Sequence, residues 1–354
     1  MGCNCSCGNK EQAAEMIADE QNLPSFYGNE GVKEKEKEKE KTSERTSIRS
    51  QLNNMNNIIV EETIKDKEKE KPKLRQKLSL KGDFLEKNII EIIEEQNPLA
   101  NNIDLPNEIA KEQPNTIELP PLKLYNGEIY AGGWNLQGEK EGYGISIDKE
   151  NNIYKGLWKN NGFGEYGCFI SYNGNYYKGE LYNRKANGKG EMLICNKLKY
   201  IGDFENELPN GEGQMINYED ETNYTGHIVN GVKEGFGILE FNDGTKYEGE
   251  FKDDQYNGKG KIIYSDGVEY EGDFKNNMKD GKGVFKWPDG KIYEGEYKKD
   301  VRNGKGKLFL EENKYYEGNW VNDQPHGKGL YNINGETLPG IFRFGKIIIA
   351  ENDK

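Results

Sequence analysis

The sequence predicts an all-β fold: an elongated, twisted antiparallel sheet of tandem β-hairpins, preceded by a largely disordered N-terminal arm with one short helix. A leading tyrosine recurs at Tyr130, Tyr154, Tyr177, Tyr200, Tyr224, Tyr247, Tyr270, Tyr293 and Tyr316, in steps of 24, 23, 23, 24, 23, 23, 23 and 23 residues. A fixed period of this length is the signature of a repeat architecture. Within a copy, Tyr at offset 0, Gly at +2 and an aromatic or apolar residue at +4 alternate with polar residues, the period of a half-buried strand. After a polar turn, glycines at +11 and +13 precede large residues at +15 and +17, as in Phe285 and Trp287, Ile262 and Tyr264, or Leu239 and Phe241. Each copy therefore reads as a β-hairpin.

Residues 1–8 read as a lipidation signal. With Met1 removed, Gly2 followed by Ser6 fits the acceptor pattern for N-myristoylation, and Cys3 and Cys5 lie where a membrane-held chain is S-palmitoylated. One myristoyl chain binds only marginally, on the order of 10⁴ M⁻¹, so the thioester-linked chains supply the stable anchor. The alternative is that Cys3, Cys5 and Cys7 form a metal clip or a disulfide cluster. No His lies nearby, no apolar stretch suggests secretion, and Cys168 and Cys195 are isolated. No stretch reaches the ~20 apolar residues that span a bilayer, so the expected attachment is peripheral, at the cytoplasmic face of a plasma, ciliary or cortical membrane.

Residues 9–82 read as a charged linker. Strict Lys/Glu alternation from Lys33 to Lys41 places like charges at i,i+4, which disfavours a helix and favours a solvated tether. A basic cluster at Lys71, Lys73, Arg75, Lys77 and Lys81 would add ~1 kcal/mol per residue of attraction to an anionic leaflet. Phosphorylation of Ser79 would weaken that attraction.

Residues 83–97 read as a short amphipathic helix, capped by Asp83 with Glu86 three residues on. Phe84, Leu85, Ile89, Ile92 and Ile93 share a face, and Asn97-Pro98 stops the helix. Such a helix is marginal alone, so something should cover its apolar side. The prolines at 98, 106, 114, 120 and 121 make residues 98–122 a second tether.

Residues 123–345 hold nine copies and a worn tenth at Leu338-Gly340-Phe342, before a tail at 346–354. The Gly at +2 leaves backbone on which a neighbouring ring can lie flat, and the G-x-G after the turn does the same and tolerates φ > 0. One copy looks irregular: after Tyr154-Lys155-Gly156-Leu157-Trp158, glycines at Gly162 and Gly164 suggest a turn shortened by three residues and a following connection lengthened by three. The stretch 341–349 is expected to pair with the last hairpin and cap it.

The wording Y-x-G-x-[F/W/Y] followed by G-x-G, with His326-Gly327-Lys328-Gly329, resembles the MORN (membrane occupation and recognition nexus) repeat. That resemblance implies a binding module: members act as scaffolds and adaptors at membranes, cytoskeletal structures and cilia, some beside a lipid kinase or a methyltransferase. Here it points to a scaffold whose array binds a protein partner such as a helix, peptide or filament component. Alternatives are a phospholipid-binding module or a regulatory partner of a lipid kinase.

The expected partner-binding face is the row of rings at Tyr200, Phe204, Tyr224, Tyr247, Phe251, Tyr270, Phe274, Tyr293, Tyr297, Tyr316 and Trp320; the competing reading is that these rings are only core. Segment 84–93 is a candidate occupant of the aromatic trough, and a second copy of the chain could cover the same face as a homodimer. Lys259, Lys282, Lys305 and Lys328 recur at offset +12 and form a possible basic rim for anionic phospholipid. The total charge of the repeats, 31 basic against 38 acidic residues in 123–354, disfavours that lipid reading. Residues 1–122 carry 18 basic and 24 acidic groups, so neither half suits nucleic acid.

An enzyme is not expected. His227 and His326 have no second ligand or nucleophile beside them in sequence, and the G-x-G pairs sit at hairpin starts without a strand–helix nucleotide-binding context. No cofactor or metal is called for.

Overall fold

The computed structural model describes residues 82–96, 116–194, 196–333 and 335–348. The lipidation signal at Gly2, Cys3 and Cys5, the alternating charges and Ser79 lie outside the described residues. The described residues form antiparallel strands and one helix, and the chain divides between Gly231 and Val232 into two units.

The first unit opens with β1 (Gly82–Phe84) and α1 (Ile89–Gln96), followed by β2 (Ile117–Leu124), β3 (Ile129–Trp134) and β4 (Lys140–Ile147). It continues with β5 (Ile153–Lys159), β6 (Gly162–Ile170), β7 (Tyr176–Tyr182), β8 (Lys185–Ile194), β9 (Leu198–Glu205), β10 (Leu208–Asn217) and β11 (Thr222–Val229). Each strand pairs with the next, and β1 pairs with β2.

The second unit runs through β12 (Val232–Phe241), β13 (Lys246–Lys252), β14 (Gln255–Ile263), β15 (Glu269–Lys275), β16 (Met278–Lys286) and β17 (Ile292–Lys298). It ends with β18 (Val301–Glu311), β19 (Lys314–Val321), β20 (Gln324–Ile333), β21 (Glu336–Arg343) and β22 (Lys346–Ile348), again as a meander. The worn tenth copy forms β21, and β22 pairs with it as the expected cap.

One hairpin geometry repeats. The turn inside a copy has two residues at positive φ, as at Asn276 (49°) and Asn277 (65°) or Asp253 (48°) and Asp254 (64°). This is the backbone of the two-residue primed turn whose twist suits a hairpin. Past the turn, Gly249 faces Gly260 while Phe251 faces Tyr256, so three residues oppose one. The bulge turns on the first glycine of G-x-G, with φ of 103° at Gly258 and 122° at Gly281, where any Cβ is disfavoured.

Three sequence expectations change. In the copy at Tyr154, Gly156 faces Gly167 and Lys159 faces Gly162, the same register as its neighbours. The turn is not shortened: Gly167 stands at +13, and only the +11 glycine is missing, replaced by Glu165. The helix begins later than expected, because Gly82–Phe84 pairs with Leu122–Leu124. Its cap is Asn88, whose Oδ1 accepts from the Glu91 backbone N–H at 3.0 Å while its Nδ2 donates to the Glu91 carboxylate at 2.6 Å, a reciprocal capping arrangement. Finally, Pro120 and Pro121 lie inside β2, at a break in register between Leu119 and Leu122. A bulge is a place where a strand tolerates a missing N–H.

Candidate functional site: the two faces of the hairpin array

Each leading tyrosine lies over a pair of glycines. A Cβ built on Gly249 or Gly260 would come within 2.6 or 2.4 Å of the Tyr247 hydroxyl oxygen, and Gly272 and Gly283 stand the same way to Tyr270. The hydroxyl folds back to donate to a backbone carbonyl three residues on: Tyr247 to Glu250 at 2.9 Å, Tyr270 to Asp273 at 3.0 Å, Tyr316 to Asn319 at 3.0 Å. The side chain nine residues on covers the ring from the other side. Tyr256 stacks on Tyr247 with centroids 3.7 Å apart, Lys279 lies over Tyr270, and Arg302 lies over Tyr293 and Trp320.

These rings join edge to face into a ladder. In the second unit it runs Phe251–Tyr247–Phe274–Tyr270–Tyr297–Tyr293–Trp320–Tyr316–Phe342, with centroid separations of 4.8–5.4 Å, in the range favoured by the ring quadrupole. The first unit repeats it from Trp134 through Tyr130 and Trp158 to Tyr154. Burial pushes the Tyr316 hydroxyl up to about 12.

The ring face is therefore interior and not an open binding surface. Tyr200, Phe204, Tyr224, Tyr247, Phe251, Tyr270, Phe274, Tyr293, Tyr297, Tyr316 and Trp320 are all buried. Adjacent copies fill one another's ring face, so it offers no trough to segment 84–93, and the reading of these residues as core is the one that holds.

The opposite face differs between the units. In the first, Ile129, Ile147, Ile153, Cys168 and Ile170 form an apolar patch, and Ile92 and Ile93 of α1 bury themselves on it, with Leu85 and Ile89 alongside. Burial pushes the Cys168 thiol up to about 12 against the opposing pull of Lys155 and Lys178. In the second unit, Glu248 faces Lys261 and Lys261 faces Glu271 across the first strands. Farther on, the same face turns apolar at Leu330, Pro339, Ile341 and Ile348, which line an open groove of about 1100 Å³.

A family model described as MORN repeat matches residues 224–246, 247–269, 270–292, 293–309 and 316–335. These five stretches are MORN repeats. The four earlier copies, outside the matched range, share the facing-glycine register of the matched MORN copies. Among curated proteins no relative matches the chain. Solved structures similar to it include the SAS-4 TCP domain of Drosophila melanogaster with a proline-rich motif of Ana2, at 15% identity and TM-score 0.27 over 60% of this chain and 95% of that one. The TCP10 domain of Danio rerio CPAP with a STIL peptide gives 13% identity and TM-score 0.30 over 63% and 96%.

Among the MORN lysines at offset +12, the structure separates those the sequence grouped. All four of Lys259, Lys282, Lys305 and Lys328 are exposed on the face away from the rings. Lys259 is held by Asp273 at 2.6 Å, and Lys282 donates its backbone N–H to the same carboxylate at 2.8 Å. Lys305 and Lys328 flank the groove and make no ion pair among the described residues. The groove itself was not legible in sequence. The +14 position does not give it away, because it is apolar in Leu330 but also in Ile238 and Val284, away from the groove.

Among the described residues, no group of three His, Cys, Asp or Glu is placed to hold a metal, and no helix is long and apolar enough to cross a membrane.

Proposed function

We propose that the chain is a non-enzymatic scaffold or adaptor whose MORN array binds a protein partner, a helix, peptide or filament component of cytoskeletal, ciliary or membrane-junction type. N-terminal acylation at Gly2, Cys3 and Cys5 holds it to the cytoplasmic face of a membrane. The observation that carries the binding half is α1: the face of the array away from the rings takes an amphipathic helix through Ile92 and Ile93. With the ring face filled by its own side chains, that opposite face is left for recognition. The anchoring half rests on the Gly2, Ser6, Cys3 and Cys5 pattern and on the need for two acyl signals.

Membrane partition of the full chain in a eukaryotic cell tests it, beside Gly2→Ala and the double change Cys3→Ser, Cys5→Ser. The parent should pellet with membranes and both variants should become soluble, while proteins captured by the array stay the same in all three. If all three remain with the membrane, acylation is not the attachment, and the array or a membrane-bound partner supplies it.

A further inference from the structure

The face away from the rings mixes charged residues with single apolar ones such as Ile201 and Phe236 along the middle of the array, and gathers apolar side chains into one patch near α1 and another at the C-terminal end. The first, at Ile129, Ile147, Ile153 and Ile170, is covered by α1. The second, at the C-terminal end, is uncovered: Leu330 is 42% exposed, Ile341 45% and Ile348 45%. The lysines at its edge make no ion pair among the described residues, while Lys307 and Glu317 on its floor are matched to each other. Lys307 reaches Glu317 at 3.1 Å, and Glu294 faces Lys307 in the strand ladder. The groove thus presents apolar side chains on β20, β21 and β22, with Lys328 on β20 and Lys305 on β18 along one side of them.

We infer that this C-terminal groove is the docking site of an acidic amphipathic helix from a partner protein, built like α1. The inference rests on the reading of the array as a protein-binding module and gives that module its site and the chemistry of its ligand. The pattern comes from the chain's own solution to the same problem. In α1, Ile89, Ile92 and Ile93 turn toward the sheet while Glu91, Glu94 and Glu95 remain exposed. Size agrees: an eight-residue helix is a cylinder about 10 Å across and about 12 Å long, roughly 900 Å³, against about 1100 Å³ for the groove. Charge agrees as well, because carboxylates along one edge of the apolar stripe, as Glu91 and Glu95 are in α1, would meet Lys328 and Lys305, which steers association and fixes the direction of the helix. An exposed apolar patch rimmed by charge is the usual mark of such a site.

The test uses the full chain with isotope-labelled isoleucine and leucine methyl groups. The probe is a peptide copying residues 88–96, with a helix-enforcing staple at the positions of Ile90 and Glu94, which are exposed in α1. Saturable shifts are expected at Leu330, Ile341 and Ile348. The double change Lys305→Glu, Lys328→Glu should weaken binding at least tenfold, as should a peptide with Glu91 and Glu95 replaced by Lys. Shifts confined to Ile129, Ile147, Ile153 and Ile170 would mean that the peptide merely exchanges with α1, and would overturn the assignment. So would indifference to charge reversal, or groove shifts that track concentration of the chain alone, which would make a second copy the occupant. Shifts elsewhere on the array would sink this site while leaving the protein-binding reading intact; no binding of any helix or captured protein would sink both.

Discussion

At Gly249 an added Cβ would lie 2.5 Å from the Gly260 Cα, 2.6 Å from the Lys259 carbonyl oxygen and 2.6 Å from the Tyr247 hydroxyl oxygen. Two of those three neighbours are backbone and cannot move without parting the strands. At Gly244, by contrast, nothing lies within 4 Å, and only its φ of +90° resists a side chain. Gly249→Ala should therefore cost about 2–3 kcal/mol or more, as overpacking does, and Gly244→Ala about 1 kcal/mol from the left-handed backbone. Urea unfolding of the two variants beside the parent measures the difference, and equal losses would show that the ring seat is not what the +2 glycine serves. The seat was legible in the sequence because a ring and its two glycines keep fixed offsets. The irregular copy at Tyr154 was misread for the same kind of reason: Gly162 and Gly164 imitate the expected G-x-G, and Gly167, the glycine that holds the register, stands without its +11 partner.

Hairpins are held to one another by a bond that no single copy displays. The second turn residue accepts from the backbone N–H of a residue 21 positions earlier: Lys233 to Asp254 at 3.0 Å, Tyr256 to Asn277 at 2.7 Å, Lys279 to Asp300 at 2.8 Å, Arg302 to Asp323 at 2.8 Å. At the equivalent places Pro209 and Pro325, which have no N–H to give, the turn residues are Gly231 and Gly345, 22 and 20 positions on, which have no side chain to receive one. The backbone bond in the other direction persists, at 2.8 and 3.0 Å. Asp300→Ala should cost about 1–3 kcal/mol, because it leaves the Lys279 N–H without its acceptor in a mostly buried residue. Adding Lys279→Pro should then cost less than the two single losses summed, since the pair removes donor and acceptor together, and a double-mutant cycle reads this directly. Full additivity would mean that the two groups do not act on each other. This coupling was visible in the sequence only as a match between distant positions. The start of α1 was missed differently: Asp83 and Asn88 both suit a cap, and pairing of Gly82–Phe84 with β2, a tertiary event, decides between them.

On the scale of each unit, the described strands pair only with their sequence neighbours, so the unit is quasi-one-dimensional and its stability is a sum over copies and their junctions. The period was plain in the sequence. Which face stays open was not, because period-two patterning assigns residues to faces without saying what covers either one. The same patterning makes removal of a full period testable. Deleting residues 247–269 joins Lys246 to Tyr270, so Tyr270 takes the place of Tyr247 opposite Leu239, and Gly272 takes the place of Gly249 opposite Gly237. Every junction in the shortened unit then keeps a register the chain already uses. Deleting only residues 247–258 removes nearly all of β13 and the start of β14, takes Tyr247, Phe251 and Tyr256 away, and leaves Ile262 with Tyr270 on one side but no Tyr247 on the other. The first deletion should retain strand circular dichroism and a cooperative unfolding transition at a modestly lower midpoint, and the second, although shorter by fewer residues, should lose that transition in this unit. If the full-period deletion were the more damaging of the two, nearest-neighbour additivity would fail and some longer-range contact would have to hold the copies in order.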